Sequence, residues 1–194
     1  GSAYLCGRRN REFDIKARGE GATVQSAMLE SDDGLIWRTR ALFQEVRGDE
    51  TAFQFGPAGD ILAIGRRGGD KAQLLKSKPP YTQWDRREMD RYIGGPLLTK
   101  WGAYRVTGGR KSGAALVGKR GPKTALYWLN PDAKSKKELL SEFVELPSNG
   151  DTSYPGFVEL SPRRAVVSWY SSHEKNSTGK VMTAIYMADL EITE

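Results

Sequence analysis

The sequence has a single cysteine, Cys6, and a single histidine, His173. One thiol excludes an intrachain disulfide. One imidazole, with no clustered Cys or carboxylate spacing around it, excludes a recognisable metal-ligand motif, so neither metal nor cofactor is expected. No apolar run approaches the ~18 residues a membrane-spanning helix needs, and no membrane partner is expected. No charged-then-apolar layout of a signal peptide is visible. The Gly-rich stretches at 65–69 and 108–113 lack both the strand–loop–helix context and the Lys-Ser/Thr ending of a phosphate-binding loop. Nucleotide binding is therefore unsupported.

What is abundant is glycine, at 22, together with five Trp and eight Tyr. Apolar runs are short. This composition favours many strands and turns over long helices. There are 30 basic and 24 acidic side chains, a net charge of +6. The basic residues are scattered in doublets such as Arg8-Arg9, Arg66-Arg67 and Arg163-Arg164, not gathered in one block. That pattern fits a solvated basic surface or a small anionic partner, and gives no specific signal for nucleic acid.

The stretch from Gly48 to Arg67, GDETAFQFGPAGDILAIGRR, organises the reading. Thr51 to Phe55 alternates, Gly56 to Asp60 is turn chemistry, and Ile61 to Ile64 is a short apolar run. In an antiparallel hairpin the start of the first strand and the end of the second share one end. The carboxylates of Asp49 and Glu50 then meet the guanidinium groups of Arg66 and Arg67. Such a group is either a binding site or an ion pair at a sheet edge.

Around this hairpin the pattern repeats: a break, an apolar hairpin, a third strand, a turn, a fourth strand. Further hairpins are expected at Leu97 to Thr107 and at Tyr154 to Tyr170, with loops at 8–22 and at Ser171 to Lys180. Asp85 to Ile93 reads as an edge strand or a short helix, and Ser112 to Val117 as an irregular extension. The breaks at Asp49, Gly94 and Gly150 lie 45 and 56 residues apart. A period of about 40–50 residues with four strands each points to the blades of a β-propeller. A β-sandwich of similar strand count is the competing architecture. The expected organisation is one all-β propeller domain over 1–194, of four-stranded antiparallel blades at roughly 1–48, 49–93, 94–149 and 150–194.

The segment SDDGLIW resembles the Asp-box turn of sialidase-like propellers, with Asp32, Gly34 and Trp37 in the places of its Asp, Gly and Trp. In that turn the Asp bonds its own backbone, the Gly supplies an unusual φ and the Trp packs between strands. SKPPYTQW stands at the same point of the next repeat, with Ser77 and Trp84 in register. Taken with DETAFQFGPAGDILAIGRR, IGGP, a Gly-Gly-Arg, GDTSYPG and SWYSSHE, the chain resembles the Asp-box, or BNR-repeat, sialidase family over nearly its whole length, matching its C-terminal blades.

The resemblance implies a glycoside hydrolase whose arginines clamp a sugar carboxylate by paired, charge-assisted bonds. It also implies a Tyr nucleophile whose proton passes to a Glu. Carried over, Glu50 is the Glu and Tyr154 the nucleophile. Arg66 or Arg67 is one clamp arginine and Arg110 another, while Asp151, Tyr170 and His173 are rim candidates. The family has six blades, and its first clamp arginine and its catalytic Asp belong to an N-terminal blade. Arg8 and Arg9 end an early strand without the family's surrounding motif. The expected activity is thus binding of an acidic glycan or another anionic small molecule, with hydrolysis incomplete in this chain alone. A non-catalytic propeller scaffold is the alternative. Association of copies to complete the ring, and a secreted or periplasmic setting, also follow from the resemblance as expectations.

Overall fold

The computed structural model describes residues 1–10, 23–111 and 121–193, and the chain divides into two compact units, Gly1–Glu88 and Met89–Glu194. Both are all-β. The first contains a three-stranded sheet, β1 (Ala3–Asn10), β2 (Val24–Ser31) and β3 (Arg38–Gln44). It also contains a four-stranded sheet, β4 (Thr51–Phe55), β5 (Ile61–Arg67), β6 (Asp70–Ser77) and β7 (Trp84–Glu88). Each sheet is an antiparallel meander, with spatial order equal to chain order. Alternation drives one side chain in two towards the facing sheet. Met28 and Phe43 of the first sheet therefore meet Ile61, Ala63 and Leu75 of the second in one buried cluster. The Phe43 ring packs 5.1 Å from Phe53 and 5.2 Å from Trp84, centroid to centroid.

The sheets of this unit are also tied by polar groups. Thr51 Oγ1 donates to the Asp49 carbonyl, so the bond between Ser26 and Thr51, 2.7 Å long, has the Ser26 hydroxyl as donor. Gly48 N bonds Val24 O at 2.7 Å. The backbones approach so closely that a Cβ on Gly48 would lie 2.2 Å from Ser26 N.

Two turns carry the Asp-box resemblance. In the first, the carboxylate that ties the turn is Asp33, one residue beyond the expected Asp32. Asp33 Oδ1 accepts from Leu35 N and Ile36 N at 2.8 Å each. These bonds, with one from Ser31, hold the Asp33 carboxyl below the usual carboxylate range. Asp32 accepts from Ser2 instead. The turn is one residue shorter than the family spacing, so alignment on Trp37 misplaces the Asp. Gly34 has φ +75°, as expected, and Trp37 Nε1 donates to its carbonyl. In the second turn Tyr81 stands three residues before Trp84 with φ +66°, and Trp84 Nε1 donates to its carbonyl.

The second unit contains β8 (Gly94–Trp101), β9 (Tyr104–Arg110), β10 (Thr124–Leu129) and β11 (Leu140–Leu146) in one sheet. Its other sheet is β12 (Thr152–Ser161), β13 (Arg164–Lys175) and β14 (Val181–Glu191). Trp101, Val106, Leu126 and Leu146 of the four-stranded sheet bury against Ala165, Val167 and Trp169 of the three-stranded one. The hydroxyl tie recurs. Thr152 Oγ1 donates to Tyr170 O, and Thr124 and Thr152 hydroxyls are 2.8 Å apart.

Four strands per sheet are thus found in two of the four sheets, and three in the first and last. The 85–93 segment is strand only to Glu88, and Gly94-Gly95 lies inside β8, at a bulge, instead of breaking it. The polar run after Tyr170 is not a loop from Ser171 on. β13 continues to Lys175, because the buried Ser171 satisfies its hydroxyl on Asn149 O. The expected loop at 8–22 begins as β1, its remainder lies outside the described residues, and so does the expected extension at Ser112 to Val117.

The hydroxyl tie gives a measurable expectation. Thr152→Val orphans the buried Thr124 hydroxyl and should cost about 1–3 kcal/mol in urea denaturation. Adding Thr124→Val removes the orphan and should return part of that loss. Equal stability of Thr152→Val and wild type would refute the tie.

Candidate functional site

The hairpin of the first unit does bring carboxylate and guanidinium together. Arg66 N bonds Glu50 O at 2.9 Å, which fixes the two strand ends side by side. The Arg66 side chain then places Nη1 2.8 Å from Glu50 Oε2 and Nε 3.3 Å from Asp49 Oδ2. Of the two arginines the sequence left open, Arg66 therefore meets the acids. Arg67 pairs with Asp70 across the β5–β6 ladder.

Asp49 is 4% exposed. A buried carboxylate is costly unless paired and hydrogen-bonded. Its Oδ1 accepts from Glu50 N at 3.0 Å and lies 3.1 Å from Nη1 of Arg8. The sequence offered Arg8 only as the end of an early strand without the family's motif, not as a member of this group. The signal was in the register: Ala3 pairs with Ser31 and Ile61 with Ser77, the two serines that open the Trp-closed turns. Arg8 lies five residues beyond Ala3, and Arg66 five beyond Ile61. They occupy corresponding places in successive sheets.

In the second unit Arg110 ends β9, as Arg66 and Arg67 end β5. Its Nη1 is 3.0 Å from Asp151 Oδ1, and its Nη2 donates to the Tyr92 hydroxyl at 3.3 Å. Tyr170 OH donates to the same Asp151 Oδ1 at 2.7 Å. The Tyr154 ring stacks on Tyr170 with centroids 6.0 Å apart and planes inclined by 26°. Tyr154 is 55% exposed. Arg110, Asp151, Tyr154 and Tyr170 are thus one group, joined by Tyr92. Tyr92 lies in the irregular polar segment before β8 and gave no sequence signal. His173 packs on Tyr186 instead, with ring centroids 4.5 Å apart and Nδ1 2.9 Å from Ser171 Oγ.

Chemically, each group presents an arginine whose planar fork is pre-oriented by a carboxylate. The second adds an exposed phenol backed by another phenol. Burial, the hydrogen bond to Asp151 and that carboxylate's charge push the Tyr170 phenol up to about 12. Tyr170 therefore remains a proton donor through neutral and moderately alkaline pH. Among the described residues no cluster of three or more His, Cys, Asp or Glu could hold a metal ion.

No family model and no curated protein sequence matches this chain. Solved structures do. A protein of unknown function from Dyadobacter fermentans DSM 18053 superposes with a TM-score of 0.70 at 18% identity, over 99% of this chain and 51% of that one. The phage phi92 endosialidase gives 0.64 at 12% identity, over 88% of this chain and 32% of its own. The intramolecular trans-sialidase from Ruminococcus gnavus gives 0.50 at 13% identity, over 89% and 38%. This chain spans about half or less of each. At these identities the likeness is one of fold alone: an all-β chain of four antiparallel sheets of three or four strands.

The Tyr170 phenol yields a titration that can be checked. Its raised value favours the folded state below pH ~10, and that contribution fades as pH rises towards about 12. In an absorbance titration of tyrosinate, Tyr170→Phe should remove one late-ionising phenol. Loss of an ordinary phenol titrating near pH ~10 instead would contradict the bond to Asp151.

Proposed function

We propose that this chain is a segment of a sialidase-like β-propeller that binds an acidic sugar. Its four sheets serve as the blades, at roughly 1–48, 49–93, 94–149 and 150–194. In the second unit Arg110 takes the sugar carboxylate and Tyr154 offers its phenol to the sugar; in the first, Arg66 with Glu50 is a second candidate anion-binding group of its own. Asp151 and Tyr170 shape the surroundings of Arg110. The observation that carries this reading is the Arg110 guanidinium held between Asp151 and Tyr92, beside the exposed Tyr154 phenol stacked on Tyr170. The shared fold with sialidase-type proteins supports it.

Binding, not turnover, is the activity proposed. The resemblance leaves the family's acid–base Asp and first clamp arginine without a matching motif in this sequence. A guanidinium fork matches a planar carboxylate by two parallel bonds and a neutral sugar offers it no such partner. The site should therefore discriminate by charge.

A second reading, an interaction scaffold, is favoured by one observation. The last sheet exposes Val158, Leu160, Ile185 and Met187, with Ile185 79% and Met187 70% exposed. Apolar groups gathered on one sheet mark surfaces that meet another chain.

Titration of the protein with N-acetylneuraminic acid, with N-acetylglucosamine as the neutral control, separates the two. The acidic sugar should bind, the neutral one should not, and Arg110→Ala should weaken binding about tenfold or more, equal to ~1.4 kcal/mol. Unchanged affinity in Arg110→Ala would reject the proposal. A concentration-dependent rise in mass with no sugar binding would establish the scaffold instead.

A further inference from the structure

Tyr154 has a backbone conformation that its side chain does not favour. Its φ is +48°, in the left-handed region that a bulky residue adopts only when the surroundings compel it. Those surroundings are specific. The preceding residue, Ser153, is 1% exposed. Its hydroxyl donates to Gly94 O and accepts from Arg110 N at 3.2 Å. One small side chain thus joins β12 to β8 and to the end of β9. The β12–β13 register slips between Ser153 and Gly156, and the β8–β9 register slips between Gly94 and Leu97. The two bulges are brought together by that hydroxyl, and bulges re-aim side chains.

Gly95 supplies the other half. Its own φ is +54°, and a Cβ there would lie 2.5 Å from Ser153 Oγ and 3.0 Å from Tyr154 Cδ1. Only glycine lets the Tyr154 ring and the Ser153 hydroxyl share that space.

We infer that Ser153 and Gly95 are positioning residues that hold Tyr154 in its left-handed conformation, so that its phenol stands exposed against Tyr170 beside Arg110. This deepens the proposed function and rests on the reading that Tyr154 meets the ligand. The hydroxyl acts through geometry alone: it fixes the Arg110 backbone and the start of β12 in one step, so the arginine and the phenol keep a constant offset. Preorganisation of this kind lowers the ordering cost of binding.

The test reads conformation and binding separately. In Ser153→Ala, the backbone carbon shifts and the amide–α coupling of Tyr154 should leave the left-handed range, and the contact between the Tyr154 and Tyr170 rings should vanish from the nuclear Overhauser spectrum. N-acetylneuraminic acid affinity should fall about as far as in Tyr154→Ala. If the buried alanine prevents folding, Tyr154→Gly against Tyr154→Ala decides. Glycine accepts a positive φ without strain, so Tyr154→Gly should unfold a few degrees above Tyr154→Ala. Retention of the left-handed shifts in Ser153→Ala, or a lower midpoint for Tyr154→Gly than for Tyr154→Ala, would overturn the inference. Normal sugar binding by Tyr154→Ala with the conformational changes intact would instead reject the functional reading and leave the clamp standing.

Discussion

Each unit depends on a pair of buried hydroxyls that joins the second-last strand of one sheet to the opening strand of the next. Ser26 meets Thr51, and Thr124 meets Thr152. Apolar packing between sheets is non-directional and would tolerate sliding. A hydrogen bond between two buried hydroxyls does not, because a shift leaves the donating hydroxyl without its acceptor in a medium that cannot replace the bond. In each case the bond is relayed to a carbonyl, Asp49 O or Tyr170 O, so every hydroxyl proton in the pair has a place. The tie also sits beside the candidate side chains. Glu50 adjoins Thr51, Asp151 and Ser153 flank Thr152, and Asp49 and Tyr154 are one residue further away. The candidate side chains project from points of their strands that these bonds hold in place.

The same economy governs the charges. Asp49 is buried between Arg8 and Arg66, and Arg110 is held by Asp151. A long arginine side chain loses rotamer freedom when it binds a ligand, a cost of order 2 kcal/mol if unopposed. A carboxylate that already holds the guanidinium removes much of that loss in advance, at the expense of some positive charge. For a ligand that brings one carboxylate this trade favours selectivity over raw attraction, since geometry is kept and diffuse anions gain little. Lysine in place of Arg66 could not serve both Asp49 and Glu50 with fixed direction, because its ammonium has no planar fork.

Much of the fold was legible in the sequence. Short alternating runs separated by Gly, Pro and Asp gave the hairpins at Thr51–Arg67 and at Tyr104 correctly, because there one face is buried and the turns use residues with strong backbone preferences. Legibility failed where a polar residue is satisfied inside a sheet. Ser171 looks like loop and is buried strand, since its hydroxyl finds Asn149 O, a partner far away in sequence. It also failed at bulges. Gly94-Gly95 reads as a break, while in the structure it is a strand irregularity built to admit Ser153 and Tyr154.

For the candidate site, strand-end placement was readable and partner choice was not. Hairpin geometry puts two arginines near two acids, yet only the pleat decides that Arg66 and not Arg67 turns towards them. The two Trp-closed turns show why local motifs mislead by a residue. In one, glycine takes the positive φ and Asp33 ties the backbone. In the other, a tyrosine takes the positive φ, and its hydroxyl is anchored on Gly59 O at 2.8 Å. What the turns share is not a residue pattern but a bond, from the indole N–H to the carbonyl of the positive-φ residue three places earlier. A tryptophan that must satisfy its N–H fixes the turn from its far end, and the residues between are free to vary so long as one of them can be forced into that conformation. Tyr154 and Tyr81 are therefore instances of one principle. In each, a bulky residue occupies a conformation suited to glycine because bonds made elsewhere leave the chain no alternative.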